Sequence, residues 1–192
     1  MENVIKIKKG YYEKIFISFW NYKSIALAVT IGIEPPAGYM NNLKTCTKSY
    51  NKTTASTVDE YTIKGLLPDG RCEVILSNYT NFADPKVYEG FKTFGIGMAE
   101  AFSGKKIAPE DIPTQAQMLE QAKKEKEITV CKFTREQRLA LYKAYQKHDN
   151  KNSCITKPDG TQSCSFNTEN MSSYDKLMMN YQSGTCSTKE IH

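Results

Sequence analysis

Six cysteines are the residues of this chain best suited to chemistry: Cys46, Cys72, Cys131, Cys154, Cys164 and Cys186. A thiolate can ligate zinc, exchange with a disulfide or attack a carbonyl, and each use demands its own spacing. None of the six forms a C-x-x-C pair, and histidine is limited to His148 and the terminal His192. Structural zinc needs clustered Cys or His, and a thioredoxin-like centre needs its dithiol, so neither is indicated. A nucleophilic Cys–His pair needs an unpaired cysteine, and an even count leaves none obvious. A disulfide framework remains, which requires an oxidising compartment. The competing reading is six buried thiols in a cytosolic protein.

Six cysteines allow fifteen pairings. Cys154 and Cys164 flank Pro158-Asp159-Gly160, a turn sequence between two short β-compatible arms, and a fold-back there sets them opposite each other. Cys72 and Cys131 sit at the edges of β-like runs and are read as a bridge between neighbouring strands. Cys46 and Cys186 then pair by elimination.

Other candidate chemistry is sparse. Gly95-Ile96-Gly97 falls inside an apolar-periodic helix with Glu100 at the place of the last glycine, which suits packing better than dinucleotide binding. No phosphate loop, hydrolase elbow or paired-histidine helix occurs. Glu136 is a formal candidate acid, but it falls in the capping sequence Thr134-Arg-Glu-Gln137. His148 falls at a helix C-terminus, where an imidazolium suits the dipole. No catalytic residue, cofactor or metal ligand is assigned.

The elements that carry these residues follow from periodicity. Tyr61–Leu67 and Cys72–Leu76 read as strands around a Pro68-Asp69-Gly70-Arg71 turn. Asp84-Pro85 opens a helix whose Val87, Phe91, Phe94, Met98 and Phe102 recur at helical steps, and Gly104 ends it. That stripe and the nearby Tyr79, Phe82 and Tyr88 read mainly as core, with an exposed binding face as the alternative. A polar helix spans Thr114–Lys126, whose lysine cluster reads as a solvated face. Ile128–Phe133 is a strand, and a helix opens at Thr134. The cysteine hairpin follows, then a short helix near Tyr174–Tyr181 and a frayed tail. Residues 40–59 read as an irregular, polar lead-in. The expected fold is α+β: a small antiparallel sheet with three to four packed helices, disulfide-stabilised, after an N-terminal apolar helix.

The N-terminus carries the targeting signal. Lys6, Lys8, Lys9 and Lys14 precede Ile15–Ile33, nineteen positions with Lys23 as the one charge, and Pro35-Pro36 closes the run. A positive flank, an apolar stretch and a breaker describe an export signal or signal-anchor. A buried strand pair is the soluble alternative. Residues 1–39 are accordingly read as signal or signal-anchor and 40–192 as the exported cysteine-containing domain. The lysine-rich first 33 residues carry +3 of the net +5, and only Arg71, Arg135 and Arg138 offer guanidinium forks. That composition argues against nucleic-acid recognition.

Four stretches occur in order: Leu43-Lys-Thr-Cys46, Gly70-Arg-Cys72-Glu-Val74, Cys131-Lys-Phe-Thr-Arg-Glu-Gln-Arg138 and Gly184-Thr-Cys186. The series resembles a group of small uncharacterised bacterial secreted or envelope proteins with L-x-x-C, G-x-C-x-V, C-x-F-T-x-E-Q-R and G-x-C motifs. The resemblance implies export and a four-cysteine core, with Cys154 and Cys164 additional here, and brings no activity or catalytic residue.

Two functional readings follow. The first is a non-enzymatic exported envelope protein, periplasmic or secreted or anchored in the inner membrane, that binds another macromolecule, an envelope protein or a glycan, or serves as an accessory subunit. The second is an exported hydrolase acting on envelope material through carboxylates that sequence does not single out.

Overall fold

The computed structural model describes residues 35–149, 154–156, 162–164 and 170–189, and the expected N-terminal apolar helix lies outside them. The chain divides into two compact units, one containing residues 80–124 and the other containing 35–79 and 125–189. The fold is α+β, as the periodicities predict.

Among the described residues, the larger unit is a five-stranded sheet with three helices. Its elements are α1 (Ala37–Thr45), β1 (Ser49–Thr54), β2 (Thr57–Leu66), β3 (Cys72–Thr80), β4 (Glu127–Phe133), α4 (Arg135–Tyr145), α5 (Ser173–Thr185) and β7 (Cys186–Lys189). Strand order is β1-β2-β3-β4-β7, and a separate two-stranded ribbon joins β5 (Cys154–Thr156) to β6 (Gln162–Cys164). Tyr61 and Ile63 of β2, Val74 of β3 and Phe133 of β4 meet Tyr39, Met40 and Leu43 of α1, Leu141 of α4, and Tyr174 and Met178 of α5 in one core. Helices therefore cover one sheet face, an arrangement that buries an apolar stripe from each element.

Two segments depart from expectation. The polar lead-in is ordered: α1 and β1 occupy it, and Tyr39, at the end of the expected signal segment, belongs to the core. Three apolar residues, Tyr39, Met40 and Leu43, suffice for α1 because they cluster on one side, and β1 alternates half-buried with exposed residues as an outer strand does. The frayed tail is β7, whose Cys186 stands opposite Cys131. The β2–β3 turn matches its signal. Gly70 adopts φ +79°, where a side chain would be strained, and its amide donates to Leu67 at 2.9 Å.

The smaller unit holds α2 (Pro85–Ser103), a 3-10 turn (Pro109–Asp111) and α3 (Gln115–Lys124). Asp84 caps α2 by accepting from the Lys86 amide at 2.8 Å, and Gly104 (φ +64°) donates to Glu100 O at 2.9 Å to close it. Phe82 is fully buried with its ring against Phe91, and Gln115 holds the Phe82 carbonyl at 2.8 Å. The expected core stripe of α2 is the main correction in this unit. Phe91, Phe94 and Phe102 are exposed, because the helix buries Ala99 on a neighbouring side instead.

Candidate functional site

The four motif segments come together in the larger unit. Cys46 bonds Cys72, joining the first segment to the second, and Cys131 bonds Cys186, joining the third to the fourth. The bridges expected for Cys72 with Cys131 and Cys46 with Cys186 do not form. In the β3–β4 register Cys72 faces Phe133 and Cys131 faces Val74, so the two sulfurs are offset by two residues. Cys131 instead meets Cys186 directly across β4 and β7, with a Cα separation of 4.0 Å. Cys46, at φ 58° past the end of α1, reaches Cys72 at 5.7 Å. The ribbon sets Cys154 opposite Cys164, as the fold-back predicts.

The polar motif residues add two further ties. Thr134 caps α4 in a capping box with Gln137, each accepting from the other's amide. Gln137 also donates to the Thr185 hydroxyl at 3.0 Å, joining the third segment to the fourth a second time. Arg138, buried, donates to Leu43 O and Lys44 O at the C-terminus of α1. Leu43, Val74 and Phe133 are fully buried. The reciprocating partner in the box is Gln137, and Glu136 stands exposed beside it. Its carboxyl is held below its ordinary value by its own backbone amide and the Thr134 hydroxyl.

A small cavity of about 10 Å³ lies between the end of α4 and the start of α5, among Tyr145, His148, Asp149, Ser172, Tyr174 and Asp175. His148 follows α4 at φ 46°, with its ring edge-on to Tyr145. Asp149 accepts from the Ser173 amide at 2.8 Å and from the Ser173 hydroxyl, which holds its carboxyl below the ordinary range. Ser172 is the N-cap of α5. It accepts from the Asp175 amide at 3.0 Å and donates to the buried Asp175 carboxylate at 2.8 Å. Burial pushes the Tyr174 phenol well above its usual range. Two carboxylates and an imidazole thus converge, but in a space that fits one water, whereas ligand pockets span several hundred cubic ångströms. Both carboxylates bond to Ser172 or Ser173, the residues at the capped start of α5. Ser172-x-x-Asp175 was legible as a capping pattern. The tie from Asp149 to Ser173 spans 24 residues and carries no sequence signal.

A second polar group lies on the outer side of the sheet. Glu60 accepts from Tyr50 at 3.0 Å, Ser77 at 2.9 Å and Lys126 at 3.4 Å. Partial burial pushes its carboxyl upward, and these donors outweigh that, leaving it below its ordinary value. One carboxylate held by hydroxyls from the strands on either side, and by Lys126 just before β4, is a cross-strand lock.

Among the described residues no group of three His, Cys, Asp or Glu side chains could hold a metal ion. No described helix is long and apolar enough to cross a membrane. No family model, curated protein or solved structure matches this chain.

Proposed function

We propose that this chain is an exported envelope protein whose disulfide-stapled domain binds another macromolecule, an envelope protein or a glycan, and catalyses no reaction. One observation carries the reading: the four motif cysteines, Gln137 and Arg138 tie one motif segment to another, and Thr134 caps a helix. The motif series therefore reads as a structural staple. The chain is proposed to belong with the secreted and envelope group it resembles, whose pattern is then a folding requirement. Two disulfides in the larger unit are consistent with an oxidising compartment. The lysine flank and apolar run before Pro35 supply the export signal in this reading.

The test has two arms. An alkaline phosphatase fused after Met40 is expected to be active outside the cytoplasm, and activity confined to a cytoplasmic reporter would contradict export. Purified chain is expected to turn over no peptidoglycan, peptide or ester substrate. Turnover abolished by one Asp→Ala or Glu→Ala change in a folded protein would establish the hydrolase reading instead.

A further inference from the structure

We propose that the outer face of β1 and β2 binds an acidic polysaccharide, with the Tyr50 ring as its stacking platform; this rests on the reading of an exported binding domain. Tyr50 is 59% exposed, yet its hydroxyl is fixed, donating to Glu60 at 3.0 Å. Glu60 is held in turn by Ser77 of β3 and by Lys126. A carboxylate fixed by two other groups therefore keeps an exposed aromatic ring in one place. Glu60, Thr62 and Lys64 alternate along β2 with the core residues Tyr61 and Ile63, so they face away from the helices. Thr62 stands opposite Tyr50, and Lys52 stands opposite Glu60. Lys52, two residues along β1, and Lys64, on the diagonal, thus lie about 7 Å from Tyr50 on the same face. Lys48, also exposed, runs its stem along Gly65, where an added Cβ would stand 3.1 Å from Lys48 Cε.

Charge and shape select the occupant. Lys48, Lys52 and Lys64 are exposed, and none is in an ion pair among the described residues. The acids of this sheet face are already engaged: Glu60 by its three donors, and Glu73 opposite Lys132 across β3 and β4. Cations spread around one ring suit a polymer that carries an anionic group in every few units. All three are lysines, point charges without the guanidinium fork that recognises one phosphate or carboxylate in bidentate fashion. The shape is that of a pleated surface with a ring lying on it, and β1 is an outer strand, so a chain can run across it from the sheet edge. Protein partners anchor by inserting side chains into pockets, whereas a sugar ring lays its C–H face flat on an aromatic ring. A tyrosine already fixed through its hydroxyl loses little freedom when it is covered.

Polygalacturonate is the probe, titrated onto the immobilised full chain in non-ionic detergent, with dextran and polyglutamate of matched length as comparators. The expected result is polygalacturonate binding that weakens as salt rises, with either comparator about tenfold weaker or more. Tyr50→Ala should weaken it by about tenfold, the pair Lys52→Gln/Lys64→Gln by about tenfold, and Tyr50→Phe, which keeps the ring, by less than about threefold. Thermal unfolding checks that these exposed-site variants stay folded. No binding of polygalacturonate, or full binding by Tyr50→Ala, would overturn the proposal. Equal losses in Tyr50→Phe and Tyr50→Ala would overturn the stacking role of the ring, and polyglutamate bound as tightly would reduce the surface to charge alone and overturn it too. Failed binding alongside an active external phosphatase fusion and no turnover would overturn this surface and leave the exported, non-catalytic reading standing. Reducing ends released from the polymer would overturn that reading and this one together.

Discussion

The guanidinium of Arg138, on α4, closes the C-terminus of α1: its Nη1 lies 3.4 Å from the Leu43 carbonyl and 3.0 Å from the Lys44 carbonyl. A helix end leaves its last carbonyls without intrahelical partners, and a cation there also meets the negative end of the dipole. One turn on, Cys46 takes the left-handed conformation and bonds Cys72. The same helix end is thus held by a charge from α4 and a sulfur from β3. That double attachment explains why L-x-x-C and the final arginine of C-x-F-T-x-E-Q-R occur in one chain.

Replacing Arg138 with Met should leave those carbonyls without their charged donor. A loss of about 2 kcal/mol is expected, in the range for hydrogen bonds to charged groups, read as a lower urea midpoint at unchanged slope. Arg138→Lys should recover part of it. Unchanged stability in R138M would show that the contact is not the cap described.

The two disulfides close loops of different length, 26 and 55 residues in separation. In the chain-entropy account these contribute about 3.5 and about 4 kcal/mol. The paired variant Cys46→Ala/Cys72→Ala should lower stability by roughly 3 kcal/mol, and Cys131→Ala/Cys186→Ala by at least as much, measured by equilibrium unfolding without reductant.

Much of this fold was legible because local signals and tertiary structure agree. Asp84-Pro85, Pro68-Asp-Gly70 and Thr134-x-x-Gln137 each mark an element boundary through backbone chemistry that acts within four residues. What could not be read depends on pairing across the sheet. β1 and β7 are polar outer strands without a continuous apolar face, and they become strands only because β2 and β4 offer them hydrogen bonds. The sulfur pairing followed from the same cause: it depends on the register of Cys72 with Phe133 and of Cys131 with Cys186, which periodicity alone does not set. The stripe on α2 is a different case. Its period was correct, but period identifies an apolar face without saying what covers it.

Phe82 and Phe94 test that distinction by substitution. Phe82→Ala should cost about 3–5 kcal/mol, because a fully buried ring is removed. Phe94→Ser, at a position 66% exposed, should change stability by less than about 0.5 kcal/mol. Thermal unfolding of the two variants in detergent-free buffer is the measurement. Similar losses in both would mean that α2 faces its own unit through Phe94.

Acid titration should separate two glutamates. Glu60 is held below its ordinary value, chiefly by the Ser77 and Tyr50 hydroxyls and Lys126 acting against burial. The folded chain therefore binds that proton less readily than the unfolded chain. Its stabilisation is complete above the unfolded value and is lost as pH falls through the lower folded value. Glu127 is raised by burial, so its ionised form opposes folding above the folded value and that cost disappears as pH falls. Glu60→Gln should lower stability at neutral pH and flatten its acid dependence, whereas Glu127→Gln should raise stability at neutral pH. Unfolding midpoints between neutrality and pH 3 would show both signs.

Sulfur connectivity in the chain as cells make it tests the account most directly. Cells would be lysed in a thiol-blocking alkylator, and the protein digested without reductant and mapped by mass spectrometry. The account predicts unalkylated cysteines and three linked pairs: Cys46 with Cys72, Cys131 with Cys186, and Cys154 with Cys164. Alkylated thiols at Cys46, Cys72, Cys131 and Cys186 in the native protein would contradict it.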